Sequence, residues 1–260
     1  MEVLGRTLPA SAVRISAVAL FLLGWELLAR SGLVGSILLP PPSVIARTGA
    51  RLVSSGELFG HMWSSLGRVL LGFALATAMA IPLGVVAGWY PLVFHAVDPL
   101  IELFRPIPVL ALLPMAILWF GIGETSKVFM VTYAAFFPVF LNTLAGVRYT
   151  DPVLVQVAST LGASRSQIFR RVVLMSALPN LAVGLRLGMG FAFLALVAAE
   201  LIASTRGLGY LIMDSRLTFQ TDIGMVGVVS LGVLGYAMNQ VLVRLERWAL
   251  AWKRDLHGTV

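Results

Sequence analysis

No cysteine occurs among the 260 residues, which excludes disulfides, thiolate metal sites and cysteine nucleophiles. Lysine is almost missing too. Lys127 and Lys253 follow Ser126 and Trp252, so neither completes the GxxxxGK[ST] of a phosphate-binding P-loop. The three histidines, His61, His95 and His257, are too scattered for metal ligation. They also lie outside or at the edge of the apolar runs, where an intramembrane serine protease would need its base, and no GxSxG is present. No enzyme chemistry and no cofactor are expected in this chain. Charge is scarce as well: 12% of residues carry it, against about 25% in soluble domains. What remains is 58% hydrophobic with a mean hydropathy of +0.92, the balance of a membrane protein.

Uncharged runs locate the spans, since a helix crossing a bilayer needs about 20 apolar residues. There are 29 between Arg68 and Asp98, 18 between Arg105 and Glu124, 20 between Lys127 and Arg148, and 21 between Asp222 and Arg244. Two further runs, 12–30 with Glu26 and 177–203 with Arg186 and Glu200, are interrupted by charge. Six spans in an all-α polytopic bundle is the resulting expectation. The first is read as an uncleaved helix, because its small-x-small site at Ala17 and Ala19 lies inside the apolar run. The net charge of +7 sits in short interruptions between spans, which is the pattern of positive-inside topology and not of nucleic-acid binding. With both termini inside, eleven basic residues fall on the cytoplasmic side, Arg105 among them, and seven outside, Arg68 among them.

Other segments carry texture. Three prolines at 40–42 stop a helix and lead into a segment whose Val44, Ile45, Leu52, Val53, Leu58 and Phe59 suit an amphipathic surface helix. Prolines at 91, 99, 106, 108 and 114 break the stretch joining the second and third spans, a feature tolerated at membrane depth where backbone meets protein or lines a cavity. Two GxxxG repeats, Gly84 to Gly88 and Gly184 to Gly188, favour a compact bundle. Arg186 and Glu200 lie fourteen residues apart, near one helix face. They either line an aqueous pathway or reach opposite interfaces. Asn142 stands near a span end, as helix glue or as a pathway residue.

Residues 148–171 form a polar, basic interruption between apolar runs. Asp151-Pro152 is a helix start, Val153, Leu154, Val157, Ala158 and Leu161 make an apolar stripe, Gly162 breaks the helix, and Ser164 caps a second one. The result is a projecting elbow.

This elbow resembles the EAA loop of bacterial ABC-importer permeases. There Glu-Ala-Ala is followed after three residues by Gly and nine residues later by Ile-x-Leu-Pro. Here the positions read Gln156-Val157-Ala158, Gly162 and Val172-Val173-Leu174-Met175, with Ala177-Leu178-Pro179 just beyond. Gln156, Val157 and Met175 depart from the pattern. Further stretches, LLPPPSVI, SLGRVLLGF, IPLGVVAGW, DPLIELFRPIPVLALLPMAILWFGIGETSK, FFPVFLNTLAGVR and GLGYLI, are similar to the subfamily that imports nitrate, sulfonates, taurine, bicarbonate and some thiamine or riboflavin precursors.

The resemblance implies a type I importer permease. It would have an N-terminal segment and first helix at 1–37, an external elbow at 38–68, a permease core at 69–250 and a tail at 251–260. It implies two cytoplasmic ATPase subunits carrying ATP and Mg, a second permease copy and an extracytoplasmic solute-binding protein, all at a bacterial inner membrane. On this resemblance Gln156, Ala158, Gly162, Ala163, Ser164 and Arg165 would contact the ATPase, and a small anion, a sulfonate or taurine first, would be the cargo. Of the readings of another class, a stand-alone channel or carrier would often show two inverted halves, and no convincing repeat relates the halves here; a structural anchor would not need five prolines and a broken helix in the membrane.

Overall fold

The computed structural model describes residues 10–251 except 34 and 36. The basic termini, with Arg6, Lys253 and Arg254, lie outside the described residues. Among the described residues the chain is all helical: α1 (Ala10–Arg30), α2 (Pro42–Ser54), α3 (Glu57–Trp89), α4 (Pro91–Phe104), α5 (Val109–Phe120), α6 (Glu124–Arg148), α7 (Pro152–Thr160), α8 (Arg165–Ile168), a π-helical turn Phe169–Val173, α9 (Leu174–Ala203), α10 (Leu208–Leu217) and α11 (Thr221–Ala249).

Among the described residues, four helical stretches are long and apolar enough to cross a membrane: α3, α6, the continuous Arg165–Ala203, and α11. The pair α4 and α5, bent by 95°, makes up to a fifth. This corrects the expected six. Helix α1 forms over 21 residues but is not one of these stretches, and Arg14, Glu26 and Arg30 interrupt its apolar run. Glu26 instead receives the Ser43 N–H at 3.0 Å and the Ser43 hydroxyl at 2.7 Å. It thereby satisfies an orphan donor in the first turn of α2, which prolines 41 and 42 cannot supply.

The boundary expected at Arg68 also moves. α3 starts at Glu57, after the left-handed Gly56, and Arg68 lies within it. Its charge does not end the helix because other helices neutralise it. At the other end Pro91 opens α4, so α3 stops at Trp89 rather than running to Asp98.

At the centre of the bundle lies α6, pressed between α3 and α9. Both GxxxG repeats face it. A Cβ on Gly84 would stand 2.9 Å from Thr143 Cβ, and one on Gly88 would stand 2.7 Å from Val147 Cβ. On α9, a Cβ on Gly184 would come within 2.7 Å of Asn142 Cβ, and one on Gly188 within 2.7 Å of Val139 Cγ2. Backbones that close gain dispersion contacts, which drive helix association where lipid removes the hydrophobic incentive. Packed along these lines are Val69, Ala76, Val131, Ala135, Ala192 and Leu196 in one cluster, and Ala80, Ala87, Val139 and Phe140 in another.

Helix α2 is amphipathic, although its stripe is narrower than the sequence suggests. Ile45 and Leu52, with Leu58 of α3, are buried against Leu208, Leu211 and Val226 of α10 and α11, while Val44, Val53 and Phe59 are exposed. Thr48 ties α2 to α11 by donating to Asp222 at 2.7 Å.

Candidate functional site

Three places hold the polar chemistry of the bundle: the elbow at one end, an ionic knot at the far end, and a cleft beside the broken span.

At the elbow, Asp151 Oδ1 accepts the Val153 N–H at 2.8 Å and starts α7. The helix ends in a tight reversal. Ala163 N–H reaches Ala158 O and Gly162 N–H reaches Ser159 O, both at 3.0 Å, with Gly162 at φ 80°. A residue with a Cβ is disfavoured in that left-handed conformation. Ser164 then caps α8 in a full capping box: Ser164 Oγ accepts from Gln167 N–H at 3.3 Å, and Gln167 Oε1 accepts from Ser164 N–H at 2.7 Å. Gln167 carries this second half of the cap and was not singled out above; its signal, Ser-x-x-Gln, is visible in the sequence. From α8 the helix runs through the π turn into α9, giving one rod of 39 residues.

Of the six residues expected to touch an ATPase, Gln156, Gly162, Ser164 and Arg165 are exposed. Ala158 and Ala163 are half-buried and turn back onto Val147, Ile168, Val173 and Ala177. The apolar stripe of α7 points outward: Val153, Leu154, Val157 and Leu161 are exposed, Leu161 by 81%. Three large apolar side chains on one short helix, with Leu161 at its C-cap, form a surface that a partner would cover.

At the far end Arg68 of α3 is 5% exposed and forks between two carboxylates. Its Nε and Nη2 bond Glu124 of α6 at 2.5 and 2.7 Å, and its Nη1 bonds Glu200 of α9 at 2.6 Å and the Arg206 carbonyl at 2.6 Å. Lys127 adds a bond to Glu124 at 3.2 Å. Two cations thus meet two anions, and the cluster is neutral. Glu200 also accepts from Ser65 Oγ at 2.8 Å and Gly209 N–H at 2.8 Å, while Ser65 Oγ accepts from Leu208 N–H at 2.9 Å. The orphan donors at the start of α10 are therefore met by side chains from α3 and α9. Gly207 is required here: it sits at φ 129°, and a Cβ would strike the Glu200 carboxylate.

These positions separate the two charges that the sequence placed on one face. Glu200 is 1% exposed and belongs to the knot, not to the wall of a pathway. The side chain of Arg186 is 45% exposed and pairs with Glu246 of α11 at 3.1 Å, the arrangement of an arginine reaching for an interface. Arg68, Ser65 and Glu124, which build the knot, were not identified from sequence. Their partners stand 56 and 132 residues away, a pairing that no local pattern reveals.

The cleft lies where α4 bends into α5. It encloses about 510 Å³, lined by Arg105, Pro108, Tyr133, Asn142, Leu187 and Phe191 among others. Asn142 donates to Pro138 O at 2.8 Å within α6, and Tyr133 donates its hydroxyl to Phe104 O at 2.6 Å, pinning the bend. Arg105, counted above with the charges of a cytoplasmic loop, therefore sits beside the middle of α6 and not at its end.

The chain matches the family described as binding-protein-dependent transport system inner membrane component over residues 80–251. It is 38% identical to the taurine transport system permease protein of Escherichia coli, over 95% of this chain and 90% of that protein. A Bacillus subtilis protein named for aliphatic sulfonates transport is 39% identical over 90% of this chain and 85% of its own length. The nitrate import permease protein of Synechocystis is 29% identical over 88% and 86%. Among solved structures, the inward-facing methionine ABC transporter MetNI shares the fold at a TM-score of 0.65 and 19% identity, covering 74% of this chain and 95% of the other. By the family match, the relatives and the helical bundle together, this chain belongs to the binding-protein-dependent transport system inner membrane components, as a permease subunit of an ABC importer.

Proposed function

We propose that the chain forms, with a second copy, the translocation pathway of an ATP-driven importer for a small anion, with an aliphatic sulfonate or taurine as the first candidate. The names of two relatives support that cargo, and nitrate is the second candidate on the name of a third. The single observation that carries the mechanism is the exposed apolar stripe of α7 at the tip of a capped, rigid elbow. A stripe of this kind fits a hydrophobic groove in a partner. On this reading the elbow and the C-terminal end of α11 face the cytoplasm, where two ATPase subunits hold ATP and Mg, and a solute-binding protein delivers cargo at the opposite face of a bacterial inner membrane.

Gln156, Gly162, Ser164 and Arg165 meet the ATPase, and Ala158 and Ala163 seat the helix that does so. Closure of the ATPase pair draws the two elbows together. Because α8 continues into α9, that displacement travels along one 39-residue rod to Glu200, and the knot at Arg68 transfers it to α3 and α6. The bundle then moves as a body, a rocking of packed helices rather than a local rearrangement. Helices α3 to α11 make up this working core, with the proline-led segment 38–56 at its external end.

A test follows from the absence of cysteine. Val157→Cys places a unique thiol in the stripe, to be cross-linked by a short bifunctional reagent to cysteines introduced along the groove of the co-expressed ATPase. The expected result is cross-linking that changes with ATP. A thiol that labels freely with the complex assembled would refute the docking of α7.

A further inference from the structure

Arg105 stands in a place that its charge makes informative. Its neighbour Phe104 accepts from Tyr133, which lies nine residues into α6 from Glu124 and fifteen from Arg148. At 1.5 Å per residue that is about 14 Å from one end and about 22 Å from the other. The segment 105–108 is not helical, and backbone of that kind at membrane depth is tolerated where it meets protein or lines a water-filled cavity. Arg105 and Glu102 have side chains 54% and 63% exposed and touch each other only at 3.5 Å. Two exposed charges at the middle of a spanning bundle cannot face lipid tails, so this flank meets water or a second protein surface.

We propose that Arg105 is the permease's own binding contact for the anion in transit, in the cleft bounded by Asn142 and Tyr133 on one side and Leu187 and Phe191 on the other. The inference rests on the importer reading above and names a residue that would select its cargo. A guanidinium offers a planar fork of donors that fits the oxygens of a sulfonate, a nitrate or a carboxylate. Glu102, at one long contact, holds the fork loosely and leaves its other donors free for an incoming anion. Leu187 and Phe191 provide an apolar wall for a short alkyl chain. A single weakly paired arginine, with no closed cage around it, suits a way station that must release what it binds.

The test uses the cysteine-free full-length chain with its ATPase in membrane vesicles. Leu187→Cys places a thiol in the cleft; Phe191→Cys serves as a second reporter should the first fold poorly, and Ser54→Cys on the exposed face of α2 is the reagent control. Each is labelled with the anionic 2-sulfonatoethyl and the cationic 2-(trimethylammonium)ethyl methanethiosulfonates, and the two rates are compared. With Arg105 present the sulfonate reagent is favoured in the cleft. Arg105→Gln lowers that rate ratio about tenfold or more, Arg105→Lys retains most of it, and the ratio at the control position does not move. An unchanged ratio in Arg105→Gln, or a cleft thiol that reacts with neither reagent, overturns the proposal. Loss of the ATPase on purification would refute the importer reading without altering these ratios, so the two failures are distinguishable.

Discussion

Replacing Arg68 by methionine removes the cation that holds three helices together. The two carboxylates that it leaves behind are not equivalent. Glu124 has a side chain 65% exposed and keeps Lys127 at 3.2 Å, so its loss is that of a surface pair, about 1 kcal/mol or less. Glu200 has a side chain with no exposed area. It keeps Ser65 and Gly209 as donors but has no remaining counter-charge, and stranding one member of a buried pair costs about 3–5 kcal/mol. The total is therefore dominated by Glu200. Unfolding in mixed micelles titrated with sodium dodecyl sulfate, followed by tryptophan fluorescence, reads this loss directly. The double variant Arg68→Met with Glu200→Gln removes the stranded charge and should recover more than half of it. A single-variant loss below about 1 kcal/mol, or a double variant no more stable than Arg68→Met, would refute the claim that the knot is a buried ion pair.

Other outcomes follow from the same geometry. Gly184→Leu drives a side chain into Asn142 and the backbone of α6 and should cost at least about 1–3 kcal/mol in the same micelle titration, whereas Gly190→Ala, which meets nothing within 4 Å, should cost nothing. Ser164→Ala removes half of the capping box and should cost about 1 kcal/mol locally, read as faster hydrogen exchange at the Gln167 amide together with weaker ATPase coupling. Arg186→Ala breaks a half-exposed pair with Glu246 and should lower stability by less than about 1 kcal/mol while leaving uptake in vesicles intact.

How much of this was legible in the sequence depends on the range over which each feature is encoded. The elbow was readable nearly to the residue because caps and glycine turns act within a few positions: Asp151, Gly162 and Ser164 do what their spacing implies. The broken span announced itself through its prolines, and the GxxxG repeats through their period. Span boundaries were drawn at charges, and this failed wherever a charge is neutralised from afar. Arg68 lies inside α3 because Glu124 and Glu200 meet it there, and Arg105 lies beside the middle of α6 because the chain turns by 95° between α4 and α5. Helix α1 failed in the opposite sense, since its apolar composition suggested a span that its charges interrupt. The pairing of Arg186 with Glu200 on one face was sound as helix geometry, yet the face they share is divided between a surface contact and a sealed interior.

The most direct test of the central claim is the native mass of the complex extracted gently through a tag on this chain, with each partner identified. Two copies of the chain with two ATPase subunits is the predicted composition. A chain that leaves the membrane reproducibly without an ATPase would contradict the coupling elbow and, with it, the account of how α7 and α9 drive the bundle.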